Sequence, residues 1–395
     1  MNAKGIRTGQ RRGEDRSWDP GLAENARVMR AASSLLSPTV RAGVLVSRLS
    51  WCLCFLALTA LFVPAALAGK KTKSVGLVKV PELELTGGRK LLYEGSISTQ
   101  KQVRGKPRIW TRLFDAVVGE SNFHDLIDPY SVVTDSHGRI IVTDPGAGGI
   151  DVFDFARHKF KFISRDKGRR SLFYPQCVAV DAADNIYVTD SYSGTIFVFD
   201  ANGKFRRQIG YLGDGEGYFE RPTGIAVDSQ THRIYVADTL GNHIYVLDIE
   251  GHILQKIGQR GTGDGEFNYP TELRLEDNKL YVVDAMNFRV QVLDLSGKFL
   301  YAVGGVDHGQ VQLFRPKGIG IDSEGHLYVA DGLSDVVQVF NRQGRLLYYF
   351  GRPGTGFGDF QLPTGLFIDG KDRVYVVDSY NRRVQVFQYF GVKGK

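Results

Sequence analysis

Between Pro222 and Gly258 the chain passes through four short apolar stretches, each cut off by a polar turn: Pro-Thr-Gly-Ile-Ala-Val-Asp, Ile-Tyr-Val-Ala-Asp, Ile-Tyr-Val-Leu-Asp and Ile-Leu-Gln-Lys-Ile-Gly. The stretches are β-branched or aromatic, too short for helices, and stopped by Asp or Gly, which predicts four strands joined by tight turns. The opening proline recurs at Pro129, Pro175, Pro222, Pro270, Pro316 and Pro363, at spacings of 46 to 48 residues. A four-stranded unit at that period cannot bury both faces alone and must stack on its neighbours around an axis. The pattern therefore predicts an all-β fold, a six-bladed β-propeller of four-stranded antiparallel blades.

The two ends of the array are incomplete in complementary ways. The sixth repeat has three strands, Gly365 to Asp369, Val374 to Asp378 and Val384 to Phe387, while Ile109 to Gly119 resembles a lone fourth strand such as Lys298 to Gly304. The outer strand of the last blade is thus expected from the N-terminal end of the domain, at 109–118, closing the ring and removing a long sheet edge.

Ahead of the repeats the pattern changes. Residues 1–50 are polar and arginine-rich, expected as a disordered or unused extension. Residues 51–68 form an apolar run behind Arg41 and Arg48 that ends in Ala66-Leu67-Ala68. Basic flank, apolar core and small cut-site residues predict a secretory signal peptide, with an uncleaved inner-membrane anchor as the alternative. Residues 69–106 read as a tether and 107–391 as the propeller. The expected location is outside the cytoplasm, in the periplasm or at the cell surface.

Charge adds little once the leader is set aside. Nine of the 50 Lys and Arg and four of the 43 Asp and Glu precede Gly69, which leaves 41 bases against 39 acids from Lys70 onward. The formal charge of +7 belongs largely to the N-terminus, and a polyanion-binding domain is not implied. Arg169-Arg170, Arg206-Arg207 and Arg382-Arg383 keep RNA binding as a minor alternative, but near-neutrality and the export signal argue against nucleic acid. Of three cysteines, Cys52 and Cys54 lie in the apolar run. Cys177 replaces the glycine of Pro-x-Gly and reads as a buried small residue rather than a reactive thiol.

The wording of the repeats, as in Pro363 to Phe387 with its Pro-Thr-Gly, Val-Tyr-Val-Val-Asp and Asn-Arg-Arg-Val-Gln-Val-Phe, resembles the NHL repeat, and the match runs from about Pro129 to Gly391. The resemblance implies the six-bladed fold. It leaves function open, since NHL propellers serve as protein-docking modules, RNA-binding domains, extracellular sensor domains and a zinc lyase acting on hydroxyglycine peptides.

Candidate chemistry is sparse. The glycine-rich loops at Gly213 to Gly217, Gly261 to Gly265 and Gly354 to Gly358 do not lead into helices, as phosphate cradles would. Closed by Phe219, Phe267 and Phe360, they read as connections that plug the gaps between blades; calcium held by Asp214, Glu216, Asp264 or Glu266 is the alternative. The aspartates ending the second strands, Asp144, Asp190, Asp238, Asp284, Asp331 and Asp378, read as strand stops that bond loop amides, and so do those ending the first strands. No two of the eight histidines have metal-ligand spacing, and no Gly-x-Ser-x-Gly occurs. No catalytic residue, metal site or cofactor is expected, so an enzyme, a metal-dependent lyase or a lactonase-like hydrolase, is the alternative reading.

The remaining signal is a face. Two residues after the second-strand aspartates stand Gly146, Tyr192, Leu240, Met286, Leu333 and Tyr380, so five of six loops carry a large apolar side chain where polar ones would cost nothing. Such residues either mark an interaction surface or fold inward to seal the blades. Beside them stand His243, Arg289 and Arg383 at the starts of third strands, Phe288, and Arg221, Tyr269 and Arg315 just before the prolines. These residues, Tyr192, Arg221, His243, Tyr269, Met286, Phe288, Arg289, Arg315, Tyr380 and Arg383, are the expected partner-binding set. The expected protein is a monomeric, non-enzymatic scaffold docking an envelope or extracellular protein partner, touching membrane only through an uncleaved N-terminal segment.

Overall fold

The computed structural model describes residues 82–85, 88–103, 123–164, 172–210, 219–305 and 313–392. Residues 1–81, including the apolar run at 51–68, lie outside that set.

Five sheets of four antiparallel strands follow one another along the chain, and a sixth is completed from the N-terminal side. Blade three shows the plan: Pro222–Asp228 is innermost, then Arg233–Asp238, His243–Asp248 and Ile253–Ile257 at the rim. Burial falls along that order. The second strands are almost wholly buried, whereas the rim strands alternate exposed and buried positions, as a sheet with one solvated face must.

The core is six clusters, each made of residues from two adjacent blades. One cluster joins blade six to blade one, with Val377 and Val384 packed alongside Val132 and Phe153, so the ring is closed by the same apolar contact that joins every other pair. Phe219, Phe267 and Phe360 are fully buried between blades, each burial worth about 2–3 kcal/mol. The backbone makes room for them: a Cβ on Gly258 or Gly351 would come within 2.5 Å of ring carbons of Phe267 or Phe360. The loops at Gly261 to Gly265 and Gly354 to Gly358 are therefore plugs, while Gly213 to Gly217 lies outside the described residues; the Glu266 carboxylate, a calcium-ligand candidate, accepts from Gly263 N (3.0 Å) and Gln259 Nε2 (2.9 Å).

The outer strand of blade six does come from the N-terminal side, but from a different place than expected. It is Lys90–Ile97, inside the segment read as tether, paired antiparallel with Arg383–Phe390 from Lys90 opposite Phe390 to Ile97 opposite Val384. Glu82–Glu84 adds a fifth strand outside it. Residues 109–118 lie outside the described residues. Leu91, Tyr93 and Ile97 face the core, and a register shift between Tyr93 and Gly95 breaks their alternation.

Candidate ligand-binding site on the upper face

Strand alternation puts the loops after the second strands and the connections before the prolines on one face, here called upper. The six strand-end aspartates are buried and tie these two sets of loops together. Asp238 accepts from Glu220 N (2.9 Å) and Arg221 N (2.8 Å), and Asp331 from Phe314 N (2.8 Å) and Arg315 N (2.9 Å). Asp144 and Asp190 repeat the arrangement in blades one and two, while Asp284 and Asp378 each take one such amide, from Asn268 and Gln361. Their role as strand stops is confirmed. In blades one, two, three and five the aspartate also fixes the backbone of the residue before its proline, which places Arg221 and Arg315, whereas Tyr269 N and Leu362 N donate to Asn242 Oδ1 and Asp335 Oδ1 instead.

This face holds a cavity of about 460 Å³ lined by residues of all five blades from one to five. Arg221, Arg315 and Lys317 supply its charge; Tyr130, Tyr269, Met286, Phe288 and Phe314 supply apolar and aromatic wall; Gln176, Thr223, Thr239, Thr271 and Ala285 complete it. No carboxylate is among the lining residues. The Lys317 ammonium lies 5.9 Å from the Tyr130 ring centroid. Burial pushes the Lys317 pKa down to about 8, and the charges of Arg315 and Arg221 push the same way. Thr271 Oγ1 is buried in this structure without a hydrogen-bond partner.

Below the cavity the axis is filled. Cys177 and Glu272 stand at the second position after their prolines, where blades three, five and six have Gly224, Gly318 and Gly365. The Cys177 thiol donates to Glu272 Oε2 (3.1 Å), and Arg274 Nη1 lies 3.4 Å from Glu272 Oε1. Arg274 crosses to the carbonyls of Ile319 (3.1 Å) and Leu366 (2.9 Å). Burial pushes the Cys177 thiol well above its ordinary pKa, with Glu272 adding to it, so this cysteine is an inert structural group as expected. Burial also raises Glu272, against the opposing pull of Arg274.

The expected partner-binding residues divide into three groups. Arg221, Tyr269, Met286, Phe288 and Arg315 come together in the cavity. Tyr192 and Tyr380, 71% and 69% exposed, stand apart from it on loop tips of the same face. Leu240, Met286 and Leu333 are exposed too, so these side chains form an apolar crown and do not fold inward to seal the blades. Arg289, Arg383 and His243 turn away from the surface. Arg289 Nε bonds Asp284 (2.9 Å) and Arg383 Nε bonds Asp378 (2.7 Å), while each arginine's Nη2 holds glycine-loop carbonyls. His243 is buried, its Nδ1 2.6 Å from the Gly241 carbonyl. A buried carboxylate five residues back outcompetes solvent for a guanidinium, which removes these two cations from any ligand.

Lys317 and Tyr130 were not singled out from the sequence, although the residue after each proline, Tyr130, Gln176, Thr223, Thr271, Lys317 and Thr364, is the position that carries them. Phe288 adopts the left-handed backbone (φ 55°) that Gly148, Gly194, Asn242, Asp335 and Arg382 also adopt at the same place, and Tyr269 (φ 59°) shares its left-handed backbone with Leu362 of blade six. Bulky side chains in that conformation cost about 1–2 kcal/mol each.

Among the described residues one group has metal-ligand geometry, Asp135, His137 and Asp184, with ligand atoms within 4.8 Å. Asp135 is already paired with Arg139, and Asp184 accepts from Ser136 N (2.9 Å) and Ser136 Oγ (2.7 Å). The group is a clasp between the lower turns of blades one and two.

Comparison with known proteins agrees with this architecture. A family described as 6-bladed beta-propeller matches residues 176–239 and 229–304, and the NHL repeat matches 360–387. The chain is a six-bladed propeller that carries an NHL repeat at 360–387. No curated protein matches it. Solved propellers similar to it include a gluconolactonase from Xanthomonas campestris (TM-score 0.53, 14% identity, covering 78% of this chain and 92% of that one). Others are an auxiliary nutrient binding protein from Bacteroides thetaiotaomicron (0.53, 13%, 67% and 69%) and a streptogramin B lyase (0.50, 15%, 67% and 94%). At these identities the chain shares its fold with them.

Proposed function

We propose that this NHL-type propeller is a non-enzymatic binding scaffold of the cell envelope whose upper face docks an acidic or mixed segment of a protein partner. One observation carries this: Arg221, Arg315 and Lys317 converge on a cavity without a carboxylate, and among the described residues none of their side chains makes a hydrogen bond or ion pair. Elsewhere in the disc Arg139, Arg274, Arg289, Arg373 and Arg383 each have a carboxylate partner. Three mutually repelling cations in one depression are relieved by an anion from outside. The exposed crown of Tyr192, Leu240, Met286, Leu333 and Tyr380 supplies apolar contact around it. Cations, hydroxyls and an amide line the cavity, a set suited to holding a charged segment. The apolar run at 51–68 supports an envelope location.

Titration of a fluorescent Glu-rich peptide and a Lys-rich control tests the proposal. The acidic peptide is expected to bind, more weakly as salt rises, and Arg221→Glu with Arg315→Glu to weaken it at least tenfold at unchanged melting temperature. Equal binding of both peptides, or an unaffected double variant, overturns it, and so does turnover of a lactone or peptide.

A further inference from the structure

The upper cavity is blind. Cys177, Glu272 and Arg274 fill the axis beneath it, and Arg274 reaches across to the carbonyls of blades five and six. At about 460 Å³ it lies in the lower half of the range for small-ligand sites, roughly 300–1,000 Å³, too small for a folded element. A chain running across the disc would have to turn back on itself to put anything deep inside. A chain end would not.

The lining shows which end. Arg221, Arg315 and Lys317 ask for a carboxylate, whereas Tyr269, Met286, Phe288 and Phe314 ask for an apolar side chain, all within one small cavity. An Asp or Glu side chain satisfies only the cations. A C-terminal Leu or Phe satisfies both, because its carboxylate and its side chain branch from one Cα. The buried, unpartnered Thr271 hydroxyl adds a neutral donor in the same wall. We propose that the cavity takes the free C-terminal carboxylate and the apolar last side chain of the partner, a narrowing that rests on the docking function proposed above. Residues upstream of that end would lie over the exposed tips of Tyr192, Leu240, Leu333 and Tyr380.

The experiment uses the full chain and two pools of fluorescent octapeptides of random sequence, one ending in a free carboxylate and one amidated. The acid pool is expected to be retained about 10- to 100-fold better, as the loss of charge-assisted hydrogen bonds implies, with Leu or Phe enriched at the last position. For the best acid peptide, Lys317→Met should shrink the preference for acid over amide while leaving the amide's own weak binding unchanged. Equal retention of the two pools overturns the proposal, and so does no retention of either or enrichment of Asp and Glu at internal positions alone. Failure here is separable from failure of docking itself. If amidated Glu-rich peptides still bind and still lose binding with Arg221→Glu and Arg315→Glu, the face docks acidic segments and only the chain-end specificity is wrong.

Discussion

The guanidinium of Arg89 and the carboxylate of Glu324 meet at 2.7 Å, joining the residue just before the closing strand to a lower turn of blade five. The same carboxylate accepts from the Tyr389 hydroxyl (3.0 Å) and from Val392 N (2.9 Å), so one side chain holds both ends of the described chain. These contacts draw the Glu324 pKa below its ordinary value despite partial burial. Replacing Glu324 with Ala is expected to lower stability by about 1–3 kcal/mol, discounted for partial exposure, with Glu324→Gln intermediate. Chemical denaturation measures both.

Closure by Lys90–Ile97 makes a sharper prediction about truncation. A chain beginning at Glu82 should melt like one carrying the upstream residues. A chain beginning at Ser98 uncovers the outer edge of Arg383–Phe390 together with Leu91 and Tyr93 contacts of the core, and should aggregate or fail to fold. Equal melting of the two would show that the ring closes without the strand.

A pH dependence follows from His124 and Asp151, whose Nε2 and Oδ1 stand 2.8 Å apart behind blade one. Burial raises the Asp151 pKa to about 6 from an ordinary 3.8, and the polar contact with Asp151 raises His124 above 6.5. Both groups hold protons more tightly folded than unfolded. Their stabilisation is complete below the unfolded values and is lost as pH rises through about 6 and then through the raised imidazole value. Melting temperature should therefore fall from about pH 4 through about pH 6 and on through the raised imidazole value, and Asp151→Asn should flatten the part between about pH 4 and 6 by the equivalent of about 1–3 kcal/mol.

Lys317 sets a second pH window, for binding rather than stability. Its pKa of about 8 in the empty cavity must rise when an anion sits beside it. Affinity for a carboxylate is therefore full below about pH 8 and falls above it, by at most about tenfold per pH unit, until the raised value is passed. Calorimetric titration from about pH 6.5 to 9.5 shows this in the wild type, and Lys317→Met should lose it.

Phe288 separates stability from function. Phe288→Gly removes a half-exposed ring and the cost of its left-handed backbone together, so the melting temperature should change little, while ligand affinity drops severalfold. A large loss of stability would mean that the ring is core rather than site.

The fold was legible because each blade repeats its punctuation: a proline to open, an aspartate to end the second strand, and a buried Phe or Leu three residues before the proline to plug the gap. The closing strand was not. In Lys90–Ile97 the shift at Gly95 interrupts the period-two pattern, and Glu94 and Ser96 make it look like linker, whereas residues 109–118 resemble in sequence the rim strand Lys298 to Gly304. The site was half legible. Loop position alone put Arg221, Arg315 and Arg289 on one face, but whether a guanidinium finds a buried aspartate depends on where its chain starts. Arg289 and Arg383 begin the third strand directly opposite Asp284 and Asp378, and so they fold in. Glu272 showed itself only as a departure from glycine, the same kind of signal as Cys177.

Pairing of Lys90–Ile97 with Arg383–Phe390 also orders events in time. The first of these strands is made before any of the six repeats and the second after all of them, so the edge of Lys90–Ile97 that faces the disc waits without its partner through synthesis of the repeats. Blades one to five can stack as they appear, each on the one before, but the interface between blades six and one forms only with the last strand. Contacts so distant in sequence make ring closure the slow step of folding, and until it occurs the nascent chain presents two complementary open edges to whatever protein stands by to guard them.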